Sequence, residues 1–139
     1  MVRRVSRPIA DGLFSLDDGE LTLVGGRSSS SGLIHFPLGP VCPYRGVDDV
    51  EPIDLPRTGR LKWWTAVNAP PPGYHGPVPY GFGVVELDCD PPLRVIGRLT
   101  EPDPAALSPG QPMTTTPLEL PDGDGNDVVT WAFAPEATS

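Results

Sequence analysis

The sequence predicts a mainly β protein built around a small closed barrel. Three observations carry that prediction. Residues 59–100 hold three short apolar runs, GRLKWWTAV, PVPYGFGVVELD and PPLRVIGRLT, separated by Pro- and Gly-rich turns, as consecutive strands are. The third run alternates: Leu93, Val95, Gly97 and Leu99 point one way, Arg94, Ile96 and Arg98 the other. The second does the same near its end, with Val85 and Leu87 against Glu86 and Asp88. Gly81 and Gly83 lie inside that run, and glycines within a strand mark the sharp curvature that closing a small barrel needs.

Composition supports a loop-rich β chain. The 139 residues suffice for one domain, or a domain with a small module. Pro (20) and Gly (16) approach the fraction at which disorder sets in, but three Trp, four Phe and the alternating runs argue for a folded core. No apolar run nears the roughly 18 residues of a membrane span. The opening MVRRVSRPIADG has basic residues without the apolar region of a signal peptide. Two cysteines, Cys42 and Cys89, are too few for a disulfide scaffold, so a cytoplasmic protein with reduced thiols is expected.

The net charge is −8, and all ten basic residues lie at or before Arg98. Every charged residue from Glu101 onward is acidic. Such a chain repels a phosphate backbone unless its cations cluster. Arg57, Arg60, Lys62, Arg94 and Arg98 are the candidates for a cluster at strand ends, although edge and turn charges also serve to block strand aggregation.

Taken in order, residues 1–22 read as an N-terminal arm or short helix, with Ser15 and Asp18 as a weak capping box and a short strand beginning at Leu21. Residues 23–50 contain LVGGRSSSSGLIHFPLGPVCPYRG: two short strands, 23–27 and 33–36, around a Ser-rich turn, then a second turn at 41–46. That is the layout of a zinc ribbon, in which each turn would present C-x-x-C. Here the positions are Ser28-x-x-Ser31 and Cys42-x-x-Arg45. Serine hydroxyls are not usual zinc ligands, and Arg cannot be one. His35 and Cys42 together leave a tetrahedral site half made. A degenerate, metal-free ribbon-like module is expected, with the Arg45 guanidinium donating to the Ser28 and Ser31 hydroxyls in the vacated site.

Residues 51–139 hold five strands, at about 61–68, 80–88, 93–100, 111–120 and 127–134. Asp103 followed by Pro104 starts a short helix between the third and fourth. Five strands with one helix after the third is the OB-fold arrangement, which binds oligonucleotides or sugars on a sheet face. The fold alone does not choose among functions. PDGDGND at 121–127 lacks the layout and final Glu of a calcium loop and reads as a hairpin turn. Trp63 and Trp64 are adjacent, so one fills the barrel and the other is exposed or docks a partner. Tyr74, Tyr80 and Phe82 add aromatics nearby, as barrel core or as a contact patch. His35 and His75 lie in different segments, outside any Cys–His or Ser–His motif, and no Gly-rich phosphate loop opens a helix. Catalysis by the chain alone is not expected.

The ribbon-like turns, GRLKWWTAV, PPGYHGPVPYGFGVVELD, a further strand and PDPAALSPGQPM follow in that order. This resembles the family catalogued as domain of unknown function 35 over roughly residues 14–135, with the VPY-x-x-G-x-VEL core and the G-x-P-M turn as its most specific parts. Family members join a rubredoxin-like zinc ribbon to an OB-fold barrel. This chain departs at three of the four ribbon positions, which puts zinc in doubt and not the barrel. The resemblance implies an accessory subunit of thiolase-like enzymes, sterol-carrier-type aldolases or hotdog-fold enoyl-CoA hydratases, acting in lipid or steroid degradation. It would bind and stabilise its partner in a hetero-oligomer, and help shape an acyl-CoA site or channel at their interface without a cofactor of its own. The candidate contacts are Ile34 and Phe36 on the ribbon remnant, Tyr74 in the 70–79 loop, Tyr80 and Trp64. A single-strand nucleic-acid binder is the alternative, and the acidic charge opposes it.

Overall fold

The computed structural model describes residues 6–9, 12–39, 43, 46, 48–74 and 76–136. Cys42, Arg45 and His75 lie outside the described residues. The strands are β1 (Ser6–Pro8), β2 (Phe14–Asp17), β3 (Glu20–Ser28), β4 (Ile34–His35), β5 (Val50–Asp54), β6 (Thr58–Val67), β7 (Tyr80–Leu87), β8 (Leu93–Leu99), β9 (Pro112–Pro121) and β10 (Asp127–Pro135). A single 3-10 turn, Pro104–Ala106, sits between β8 and β9.

Strands β6 to β10 close a five-stranded barrel. The order runs β10-β8-β7-β6-β9, and a β9–β10 pairing shuts the ring. The β8–β10 pair is parallel, and the remaining barrel pairs are antiparallel. This is the OB-fold, and its five strands lie within a few residues of the alternating runs. Strand β1 adds in parallel to the outer edge of β10. Alternation is strict where it was clearest: on β8 the buried and exposed residues interchange at every step, with Leu93, Val95 and Leu99 inside.

Closure brings chains very near one another at two glycines. A Cβ on Gly83 would lie 2.5 Å from the Trp63 carbonyl oxygen, and one on Gly97 would lie 2.7 Å from the Phe133 ring. The helix expected after Asp103 is one 3-10 turn only. Asp103 caps it by accepting from the Ala105 amide at 3.0 Å, and Leu107 then plugs the core. The β9–β10 hairpin turns through an Asx arrangement: Asp122 Oδ1 accepts from the amides of Asp124 (2.7 Å) and Asn126 (3.2 Å).

The N-terminal third departs from expectation. Residues 14–28 form neither an arm nor a short helix. They are a hairpin, β2 with β3, turning at Asp18 (φ 50°) and Gly19 (φ 80°). The local signal was the Asp-Gly pair, a hairpin turn of the kind that needs positive φ at both centres, and it outweighs the capping box. Strand β3 runs unbroken through the expected boundary at residue 22. Strand β5, not anticipated, pairs with β3, as does the two-residue β4. Leu21, Leu23, Ile34 and Leu55 from this second sheet share one apolar cluster with Leu61, Val85, Met113 and Phe133 of the barrel. A buried hydrogen bond from Thr115 Oγ1 to the Leu21 carbonyl, 2.7 Å, joins the sheets. Among the described residues no helix is long and apolar enough to cross a membrane.

Candidate partner-binding face

The outward residues of β7 and β8 follow from the same alternation: Tyr80, Phe82, Val84 and Glu86 on one strand, Arg94, Ile96 and Arg98 on the next. Cross-strand register sets Val84 opposite Ile96, Phe82 opposite Arg98 and Glu86 opposite Arg94. Strand β6 adds a tryptophan through an irregularity. Its register shifts between Leu61 and Trp63, so Trp63 stands 52% exposed with its ring edge-on to Phe82 at 5.8 Å. Trp64 turns the other way. It packs on the core and donates its indole N–H to the Pro104 carbonyl at 3.0 Å.

Strand β10 completes the face with Trp131, whose indole N–H donates to the Ile96 carbonyl at 3.0 Å. The Phe36 ring, from the segment after β4, meets Trp131 edge-on at 5.3 Å. Two grooves result, one on each side of Ile96 and Trp131. One, of about 290 Å³, is floored by Tyr80 and Phe82 and edged by Arg98. The other, of about 270 Å³, lies between Phe36, Pro37 and Arg94. Ile96 itself, 64% exposed, is the ridge between them.

The charges on this face are unequal in status. Glu86 meets both Arg94 (3.3 Å) and Lys62 (3.6 Å). The Arg98 guanidinium instead stacks over Tyr80 at 3.9 Å, with Tyr74 at 5.4 Å, and donates to the Tyr74 hydroxyl at 3.1 Å. Tyr74 passes the chain of bonds on to the Pro77 carbonyl at 2.7 Å, which pins the 70–79 loop to the barrel. The basic residues do not form one cluster. Arg57, between β5 and β6, bonds to Thr22 Oγ1 and Glu20 of β3, and Arg60 reaches the Gly110 carbonyl.

Of the five interface candidates, Phe36, Tyr74 and Tyr80 lie along this face. Ile34 and Trp64 do not, and both assignments are corrected. Ile34 is 8% exposed within the shared core, and Trp64, partly buried, packs against the core on the side away from Trp63. Ile34 and Phe36 do not share a strand face, because β4 ends at His35. Sequence reasoning missed Ile96 and Trp131. The available signal for Ile96 was an isoleucine on the polar side of an otherwise regular alternation.

The ribbon positions hold different chemistry. Ser28 is fully buried, and its hydroxyl donates to Asp49 Oδ1 at 2.8 Å. The Ser30 amide (2.7 Å) and Ser29 hydroxyl (3.3 Å) donate to Asp49 Oδ2. These donors hold the Asp49 carboxyl down to about 2. The Ser31 amide leans on Ser28 Oγ at 3.4 Å, and Ser31 Oγ accepts from the Leu33 amide at 3.3 Å. The Ser28 hydroxyl therefore serves a carboxylate, and these residues do not fit a ribbon zinc. His35 is buried beside them and accepts from the Gly39 amide through Nε2 at 3.4 Å. Cys89 has its thiol pushed up by burial, the opposite of an activated nucleophile.

A closed five-stranded barrel, with a second sheet sharing its core and an aromatic outer face, defines a protein of the OB-fold class. Residues 52–116 match the family model described as ChsH2, C-terminal OB-fold domain. A DUF35 domain-containing scaffold protein of Pyrococcus furiosus is 30% identical over 115 residues, 81% of this chain and 82% of the relative. Another of that description, from Methanocaldococcus jannaschii, is 22% identical over 112 residues, 80% of this chain and 78% of the relative. The chain belongs to the DUF35 family. Its fold is similar to that of a solved chain described as Ltp2-ChsH2(DUF35) aldolase, with a TM-score of 0.60 at 24% identity over 82% of this chain and 84% of that one.

Proposed function

We propose that this chain is a non-catalytic accessory subunit of an acyl-CoA enzyme complex in the cytoplasm. It binds an aldolase or thiolase-like enzyme, stabilises it, and helps shape the acyl-CoA site or channel at their interface. The observation that carries this reading is the outer face of β7 and β8, where Trp63 and Ile96 stand exposed beside half-buried aromatics. Contiguous apolar surface of this kind marks an interaction site in a folded domain. The relatives' description as scaffold proteins and the aldolase named in the solved neighbour support the choice of partner.

The test is co-expression with an aldolase- or thiolase-type enzyme of the same organism, followed by size-exclusion chromatography with light scattering. A single heteromeric species is expected, with the enzyme's acyl-CoA turnover reduced when the subunit is omitted. Separate elution of the two chains at micromolar concentration overturns the proposal. A hotdog-fold enoyl-CoA hydratase in place of the aldolase, tested the same way, is the competing partner.

A further inference from the structure

Arg98 is the cation on this face that lacks a counter-ion. Lys62 and Arg94 share Glu86, and Arg57 meets Glu20, whereas no carboxylate among the described residues pairs with Arg98. A guanidinium carries five N–H donors, and here the Tyr74 hydroxyl takes one. Its Nε is buried without an acceptor. Leaving a partly desolvated cation uncompensated is unfavourable, so the arrangement is complete only when an anion arrives from outside. The geometry is set in advance. Tyr80 stacks under the guanidinium, Tyr74 holds its edge, and Pro77 holds Tyr74. A planar fork fixed in this way loses little freedom on pairing.

The shape of the surface identifies the kind of occupant. Small-ligand sites are concave and enclose most of the ligand. Here Ile96 rises as a ridge between the grooves, with Trp63 exposed beside it. Arg98 also borders a further groove of about 280 Å³ lined by Pro77, Leu118, Glu119 and Leu120. An exposed apolar ridge with aromatics and an arginine at its rim is the anatomy of a protein–protein interface. An arginine without an ion pair at this rim favours a carboxylate on the counterpart.

We propose that the outer face of β7 and β8 seats the enzyme subunit, with a partner carboxylate pairing with the remaining Nη donors of Arg98 and apolar partner side chains packing on Ile96 and Trp63. This rests on the accessory-subunit reading. The test measures affinity of the aldolase- or thiolase-type enzyme found to co-elute with the wild-type chain for that chain and for Arg98→Gln, Ile96→Asp and Lys62→Ala, with circular dichroism as the fold control. Arg98→Gln and Ile96→Asp are each expected to weaken binding about thirtyfold. Lys62→Ala, which removes an exposed ammonium paired with Glu86, is expected to stay within about twofold. If Arg98→Gln perturbs the 70–79 loop, the exposed Ile96→Asp still decides the matter. Tight binding by both variants overturns this proposal and leaves the accessory reading intact. Failure of the wild-type chain to bind the enzyme overturns both. If the substitutions instead abolish self-association, or binding of a single-stranded oligo-dT probe, the face belongs to a second copy or to nucleic acid, and the proposal is overturned.

Discussion

Asp49 ties the first ribbon turn together across 21 positions of chain, reaching Ser28 at one end and the Ser29 and Ser30 groups beside it. It acts as a non-covalent cross-link made of hydrogen bonds. The consequence is a dependence on pH. The folded carboxyl titrates at about 2 and the ordinary value is 3.8, so its contribution to stability is complete above about pH 4 and is lost as pH falls through about 2. Asp49→Asn is therefore expected to melt below the wild type at pH 6, with the gap closing towards pH 2. Thermal melts of both proteins across that range check it, and a gap that is constant with pH refutes it. None of this was legible in the serine run, which read only as a turn between two short strands. A partner so distant in sequence leaves no local signal.

The strands of the barrel behave as their periodicity says, and the irregularities decide the details. The shift in β6 makes two adjacent tryptophans unlike one another. Trp64→Phe keeps the ring in the core and loses the bond to Pro104, for an expected cost of about 1 kcal/mol. Trp63→Ser is expected to change stability by less than about 0.5 kcal/mol, because the side chain is half exposed, while weakening the complex. Chemical denaturation of the two variants separates these roles. Gly83→Ala tests the close approach of β6 and β7. Its Cβ would meet a backbone carbonyl at 2.5 Å, and a backbone cannot rotate away as a side chain does, so a loss of about 1–3 kcal/mol is expected. A variant as stable as the wild type by denaturant melt refutes that contact. Gly83 was legible as a curvature point, but the neighbour it avoids was not.

The two sheets share one apolar cluster, so the molecule is expected to unfold in a single cooperative transition. Thr115→Val removes the buried donor to the Leu21 carbonyl and is expected to cost about 1–3 kcal/mol while the transition stays single. Two resolved transitions by calorimetry refute a common core. A partner that binds only the folded chain is expected to raise the melting temperature with its concentration.

Alternating apolar residues determined the mainly β class, the five barrel strands and the inward faces of β7 and β8, because strand periodicity is a property of neighbours in sequence. The order of turns and strands was enough to suggest the family. The tertiary structure alone decided that β3 contributes to the barrel's core, that Ile34 is buried and Trp64 packs against the core, and that Trp63, Ile96, Trp131 and Phe36 meet on one surface. It also decided which cation stands unpaired there. These depend on register and closure, which are settled by contacts between residues far apart in the chain: Ser28 with Asp49, Tyr74 with Arg98, and Leu21 with Thr115 across 94 positions.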